Sequence, residues 1–582
     1  MVNILTYILS LFVIIYYLFR PLEGLLFLIF LIPIRFLRVK IKLTEKSKKA
    51  LVIGGILAYL TYSYYNTRIH SHDGLNTHLK YILQIAEKGF VNSTEYPIKP
   101  YFGEIILGHV YKNLGLRALN LTLGILTLLN TYLVYQLLKT LETKNEKVKK
   151  LAFLIFLLSP TFLGFAFKEL KIDLISSAIL LLALINFRKL SYKASHKRYL
   201  VICLLTGIVI ITKTSAIPIA ITILIAATIK HLLKNKNSKT IITTLIGISV
   251  AILPSILWAL NFGGTIPQLE NLVDITPQRN LFVNRVSLER DPHILAKCNQ
   301  DKLKKDYSSF IFGSRTPLVL LQPIFYLTRY KAYPFSVQSM ANPGILLYFG
   351  LIILFPYILF KKKSFFGNSK KEMYWLILTQ TVIFYILVGS VFWYLLPLYP
   401  FYALLTASFL DHIKNARVKK LFLDITKASL ITNLIYALIL SYMYMEPLKT
   451  LDEKNIKQSD LVKIYEQNKV ISKFRKNFLI LDASEHGHAI LTPFVPGGDE
   501  FIVKSNYYFA SSPKNPKEMK EELIENGIKF IMAEKDKLED SWYTDCPKEN
   551  NKKLKNFLDK HTVPVFPRNT QYNNLFFEIV DK

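Results

Sequence analysis

Residues 199–229 read YLVICLLTGIVIITKTSAIPIAITILIAATI, and Lys213 is the only charged residue in the stretch. Neither half carries the polar stripe that a soluble amphipathic helix keeps in water. The two halves, 199–212 and 214–229, therefore read as membrane spans, short enough to tilt, pair or sit re-entrant. Further unbroken apolar runs lie on either side, at 4–19, 22–37, 50–66, 116–138, 151–167, 173–187, 240–260, 343–360, 373–390, 391–410 and 421–443, so hydropathy predicts about thirteen spans.

Composition agrees with this pattern. A chain of 582 residues with 51% hydrophobic content is too long and too apolar for one soluble domain. Its net charge of +32 is set mainly between the apolar runs, in RVKIKLTEKSKK, KTLETKNEKVKK, RKLSYKASHKR, KHLLKNKNSK, KKKSFFGNSKK and DHIKNARVKK. The positive-inside rule turns these six linkers to the cytoplasm. It leaves 67–115, 168–173, 261–342 and 444–582 on the outer side and the N-terminus inside. The basic balance thus reports topology in a plasma-membrane protein, and no nucleic-acid partner is expected. The first apolar run lacks a basic n-region and a small-residue cleavage site, so it reads as an anchor. Of three cysteines, Cys203 falls in a span, while Cys298 and Cys546 fall in outer segments whose spacing allows a disulfide without demanding one.

After residue 445 the pattern changes. NFLILD and EFIVKSNYYF read as strands around the loop PFVPGGDE, NPKEMKEELIENG reads as a helix from Pro516 stopping at Gly527, and IKFIMAE and NLFFEIV read as further strands. The expected fold class is mainly α: a polytopic transmembrane helix bundle with outer-face loops and a small C-terminal α/β domain on the extracytoplasmic side. The expected divisions are 1–49, a membrane hairpin with its basic linker; 50–445, the membrane domain; and 446–582, the soluble domain. Within the long outer loop 261–342, LVLLQPIFYLTRYKAY mixes aromatic and basic residues; it suits either an interfacial amphipathic helix or a structural cap over the bundle.

Candidate chemistry gathers in the outer segments. HSHDGLNTHLKY, residues 70–81, sets Asp73 among His70, His72 and His78 just past a span. A carboxylate there either stays solvated or serves as a base within reach of lipid head groups. His70 and His72 with Asp73 offer weak ligands for a divalent metal, but the spacing fits no standard zinc motif. Lys213, a cation flanked by apolar residues, either snorkels to the interface or is kept for function. Asp173 opens a span, where an acid suits the helix N-terminus on dipole grounds alone. Pro397 and Pro400 read as kink formers.

Taken in order, these segments resemble the GT-C superfamily of integral-membrane glycosyltransferases, notably the aminoarabinose and protein-mannose transferases. The first outer loop of that family matches Asp73, His78, the helix 79–89, Pro97 with Pro100, and the short helix 101–115 ending in Leu-Gly. SPTFLGFAFKELKIDLISSAILLLALINF is similar to its second outer loop, with Asp173 as the matching acid and Glu169 a second candidate. GIVIITKTSAIPIAITILI is similar to its Thr-Lys hairpin, and WYLLPLYPFYALLTASF, which begins Trp393-Tyr394, to its Tyr-Leu-Leu-Pro-x-x-Pro span. Two positions depart: Gly74 stands where many relatives carry a second acid, and Trp393 where many carry Arg.

The resemblance implies transfer of a sugar, with inversion, from a polyprenyl-phosphate donor to a lipid, glycan or protein acceptor at the outer membrane face. Asp73 is then the expected base. Lys168, Lys171 and Lys213 supply positive charge to the leaving phosphate. Asp173 orients a sugar or holds one of these cations, and His78, Glu169 and Tyr394 line the substrate site. No organic cofactor is expected. The competing classes are a transporter or flippase of lipid-linked saccharides and a non-catalytic scaffold that binds an envelope polymer; the crowding of acids in outer loops and the lack of repeated halves count against the first.

Overall fold

The computed structural model describes residues 21–36, 44–65, 101–141, 145–167, 170–192, 195–234, 238–262, 344–350, 392–443, 478–482, 502–505, 514–534, 547–564 and 574–580, with single residues between 6 and 17 and between 78 and 86. The chain divides into two compact units. One is helical. The other holds a sheet and two helices, and His78, Tyr81 and Ile82 group with it.

The helical unit comprises α1 (Pro21–Phe36), α2 (Glu45–Tyr65), α3 (Phe102–Thr140), α4 (Glu146–Leu157), α5 (Pro160–Phe167), α6 (Asp173–Tyr192), α7 (His196–Thr212), α8 (Ile217–Lys234), α9 (Ser238–Phe262), α10 (Ile345–Phe349), α11 (Tyr399–Asp411) and α12 (Ala416–Met443). Polar residues of the linkers start several of them. The Asn145 side chain accepts from Lys147 N at 3.0 Å to cap α4, and Ser195 Oγ accepts from Arg198 N at 3.4 Å to cap α7. The helix α6 packs against α3, α7 and α8, and α7 also meets α9; α1 lies on α12, α2 on α3, and α4 on α11.

Among the described residues, three helices (α3, most of α9 and most of α12) are long and apolar enough to cross a membrane, and the bent pair α4–α5 passes as a fourth. The expected spans at 373–390, most of 4–19 and part of 343–360 lie outside the described residues. On α9 the side chains Ile241, Ile242, Leu245, Ile246, Ile252 and Leu253 are exposed, 47–62% each. Leaving such side chains in water would forgo about 1.5–3 kcal/mol apiece, so this face reads as lipid-facing.

Two spans differ in shape from the sequence reading. The helix 101–115 and the span 116–138 join into the single element α3, broken at Gly115, whose φ of 78° and ψ of −178° no side-chain-bearing residue adopts easily. The span 151–167 bends by 56° between α4 and α5. Pro160 opens the second piece and Ser159 Oγ accepts from Phe162 N at 3.4 Å, so a new helix start replaces continuation. Pro397 lies in a 3₁₀ turn, Phe392–Leu398, and Pro400 in the first turn of α11, so both mark a helix start rather than a kink within one.

In the second unit, β1 (Phe478–Asp482), β2 (Ile502–Ser505), α13 (Pro516–Glu525), β3 (Phe530–Glu534), α14 (Pro547–His561), β4 (Thr562–Pro564) and β5 (Asn574–Ile579) build a sheet of order β2-β1-β3-β5-β4. The pairs β1–β2 and β1–β3 are parallel; β3–β5 and β4–β5 are antiparallel. Leu479, Ile531 and Phe577 stand opposite one another across three strands. Ile531 and Phe577 share a core with Met519 and Leu523 of α13 and Leu554, Phe557 and Leu558 of α14. A capping box starts α13: Asn515 Oδ1 accepts from Glu518 N at 3.0 Å and Glu518 Oε2 from Asn515 N at 2.8 Å.

Candidate active site

Lys213 owes its position to a break in the chain. The last turn of α7 closes with Lys213 N donating to Val209 O at 3.1 Å, but Lys213 itself is extended (φ −157°, ψ 123°). Thr214–Ala216 then makes one 3₁₀ turn, and α8 restarts with Pro218 at its second position. Asp173 is the first residue of α6, and its own carbonyl accepts from Ser176 Oγ at 3.1 Å.

Across this junction Lys213 Nζ forms an ion pair with Asp173 Oδ2, the side chains being 13% and 5% exposed. The carboxylate sits at a helix N-terminus and the ammonium at a helix C-terminus, the ends that favour each charge. Desolvation opposes burying such a pair, and mutual attraction together with the two dipoles offsets it.

Two further charges are buried at this end of the unit. Lys171, two residues before Asp173, is 9% exposed, and Glu104, in the first turn of α3, is 2% exposed. Gly103 explains how α3 gets there. A Cβ on Gly103 would lie 3.0 Å from Ile172 Cγ2 and 3.5 Å from Thr212 Cγ2, so the helix start is wedged against the neighbours of both Asp173 and Lys213. The rings of Tyr101 and Trp258 meet edge to face at 4.7 Å and tie α9 to the same point. Asn130 Nδ2, in the C-terminal half of α3, donates to Leu174 O at 2.8 Å and so fixes the start of α6 against α3.

The end of α2 is bound to the segment that leads into α6. Tyr59 and Tyr62 donate to the carbonyls of Ala166 (2.9 Å) and Phe167 (3.4 Å), the last of α5, and both rings pack edge to face on Phe167. The Arg117 guanidinium, just past the Gly115 break, lies 5.8 Å from each of the Tyr64 and Tyr65 ring centroids.

Of the residues expected from the sequence, Asp173 and Lys213 are thus in direct contact and Lys171 is buried beside them. His78 is buried, 8% exposed, in the second unit. Tyr394 has its backbone in the 3₁₀ turn before α11, and its side chain lies outside the described set. Asp73, His70, His72, Lys168 and Glu169 also lie outside the described residues, as do Cys298, Cys546 and residues 318–333. Among the described residues no three His, Cys, Asp or Glu side chains gather as a metal site. Sequence reasoning missed Glu104; the available signal was an acid sharing the helical face of Gly103, Leu107 and Gly108.

No family model and no curated protein matches the sequence. Among solved structures, the fold is similar to that of ArnT from Cupriavidus metallidurans bound to undecaprenyl phosphate, with a TM-score of 0.51 and 10% identity, covering 92% of this chain and 99% of that one. The same protein in its apo state gives 0.48 at 11% identity with the same coverage. The chain therefore has an ArnT-like fold, the fold that the resemblance to GT-C glycosyltransferases implies.

Proposed function

We propose that this chain is an integral-membrane glycosyltransferase that moves a sugar from a polyprenyl-phosphate carrier to an acceptor hydroxyl at the outer face of the cytoplasmic membrane. The observation that carries this reading is the buried Asp173–Lys213 pair, where α6 begins and α7 breaks, in a fold similar to that of a transferase crystallised with undecaprenyl phosphate. Intramembrane charges are costly and are usually kept for a pathway or a site.

In this reaction the acceptor O–H gives its proton to Asp73 as the oxygen bonds to the anomeric carbon, and the bond from that carbon to the phosphate oxygen breaks with inversion. The carrier leaves as a phosphate monoester that needs no proton, so fixed positive charge serves it better than a general acid. Lys213, held by Asp173, and Lys171, with Lys168, supply that charge. His78, Glu169 and Tyr394 contact the sugar or acceptor. Asp73 follows the last residue of α2, Tyr65, by eight residues, a tether of at most about 28 Å. Because α2 is held to Phe167, that tether is rooted beside the segment leading to Asp173. The N-terminus is assigned to the cytoplasm, 50–445 to the catalytic membrane domain, and 446–582 to an extracytoplasmic domain, in accord with the basic linkers.

The test uses full-length protein in lipid nanodiscs with a panel of polyprenyl-phosphate sugars, comparing wild type with Asp73→Asn. Turnover of one donor by wild type and a fall of about 10²–10⁴-fold in the variant are expected. Equal turnover by the two removes Asp73 as the base. Movement of the lipid-linked sugar across vesicles without cleavage replaces the transferase reading with that of a transporter.

A further inference from the structure

The part of α3 that follows the break at Gly115 carries charge only near its two ends. Arg117 stands two residues past the break, Lys139 lies in the last turn, and no charged residue falls between them. Twenty-two residues separate the two, about 33 Å of helix, which matches a hydrocarbon core of about 30 Å. Within that length Ile125, Leu129 and Tyr132 are exposed at the i, i+4, i+7 spacing of one stripe, so this side reads as lipid-facing. Lys139 Nζ lies 4.5 Å from the Tyr135 ring centroid, and Arg117 Cζ lies 5.8 Å from those of Tyr64 and Tyr65. A cation on aromatic rings thus marks each end of the span, as suits the two membrane–water interfaces. At the Gly115 end the two tyrosine rings meet edge to face at 5.1 Å. Arg117 is exposed there, and among the described residues no carboxylate pairs with it. Leu114, just before the break, and Tyr65 are 70% and 67% exposed, so the guanidinium stands where the chain opens apolar surface to the bilayer.

We infer that Arg117, held by Tyr64 and Tyr65, binds the phosphate of an anionic phospholipid of the surrounding bilayer. The inference needs the membrane setting and not the transferase reading. A guanidinium presents its N–H donors along a planar edge that matches two phosphate oxygens, and attraction to aromatic rings leaves that edge available. The helix length sets the group at head-group level, where lipid phosphates lie. Because the rings restrict a long side chain in advance, less freedom is lost when the phosphate arrives. With no carboxylate to balance it, the cation favours a lipid of net negative charge over a zwitterionic one. The occupant is a phospholipid rather than the polyprenyl carrier because Arg117 lies open on the lipid-facing side, whereas the Asp173–Lys213 pair is buried.

A plainer role for Arg117 is to staple α2 to α3 through the two rings. The test places full-length protein in nanodiscs of unlabelled phosphatidylcholine with a small fraction of a photoactivatable probe, either phosphatidylglycerol or phosphatidylcholine. Both probes carry the same diazirine in the acyl chain next to the glycerol, and the labelled residues are mapped by mass spectrometry. In wild type the phosphatidylglycerol probe should label Tyr64, Tyr65 and Leu114 at least about fivefold more than the phosphatidylcholine probe does. Arg117→Gln should abolish that excess and leave labelling by phosphatidylcholine unchanged; Arg117→Lys, which keeps the charge without the fork, should retain part of it. Equal labelling by the two probes in wild type overturns the assignment, as does an excess that survives Arg117→Gln. Loss of labelling by both probes in the variant assigns Arg117 to the staple and overturns it too. Displacement of the phosphatidylglycerol label by an equal amount of undecaprenyl phosphate would give the site to the carrier and overturn the choice of phospholipid.

Discussion

Breaking the pair at the head of α6 gives the sharpest test of how the site is held. Asp173→Asn keeps the size of the side chain but removes the carboxylate charge that faces the Lys213 ammonium, which is 13% exposed. Removing one partner of a buried pair costs about 3–5 kcal/mol, and the residual exposure of Lys213 draws the expectation to about 3. At about 2 °C per kcal/mol, suited to a long chain, the helical unit should unfold roughly 6 °C lower. Lys213→Met should cost a similar amount by stranding the carboxylate. The double variant removes both charges and should return to within about 1 kcal/mol of wild type, so that two single losses of about 3 kcal/mol each give a coupling energy of about 5 kcal/mol. The assay is thermal unfolding of all four proteins in the same nanodiscs. Single-variant losses that add up in the double variant would show that the two residues act independently and would refute the pairing as the stabilising element. Turnover, by contrast, should stay low in all three variants, because the double variant regains stability without regaining the cation.

Two further outcomes follow from local geometry. Gly115→Ala meets no atom within 4 Å of the added Cβ, so its cost is backbone strain alone, about 1–3 kcal/mol; relief by straightening α3 would pull Gly103 off Ile172 and Thr212, and donor affinity should fall with stability, whereas unaltered donor binding would mean the break does not set the site. His231, fully buried on α8, stacks on Tyr199 at 4.4 Å while neither ring nitrogen has a hydrogen-bond partner among the described residues; His231→Phe keeps the stacking, drops the unmet polar atoms, and should raise the unfolding temperature by the equivalent of about 1–3 kcal/mol, so a loss of stability would assign the imidazole a partner outside the described residues.

Much of the helical framework was legible because a bilayer leaves a coarse signature: an apolar run has to be long, and a charge at its end stands out. Asp173 and Lys213 were visible for that reason, as were the start of α6 and the ends of α7 and α12. Their pairing entered only as one alternative implied by the family resemblance, Asp173 holding one of three cations, since two residues forty positions apart carry no mark of shared geometry. Glu104 stayed hidden because its neighbours include His109 and Lys112, so hydropathy reads the segment as mixed and only the helical face shows the acid pointing inward. The bend at Ser159 was missed for the opposite reason: both flanks are apolar, and Pro160 was outweighed by the length of the run. In the second unit, local pattern located the strands of β1, β2, β3 and β5, but pairing β5 between β3 and β4 depends on contacts distant in sequence.

The tyrosines at the end of α2 bear on how the protein is made. Tyr59 and Tyr62 satisfy carbonyls at the end of an eight-residue helix that lies more than a hundred residues later in the chain. At about 5–20 residues per second, α2 is synthesised roughly 5–20 s before α5. During that interval its phenols lack the carbonyls they bind in the folded protein. When α5 arrives it is too short to span the bilayer and ends in carbonyls that hydrocarbon cannot solvate. Tyr59 and Tyr62 supply donors for the carbonyls of Ala166 and Phe167. The contact that anchors the end of α2 is thus one that only the later, eight-residue helix can complete.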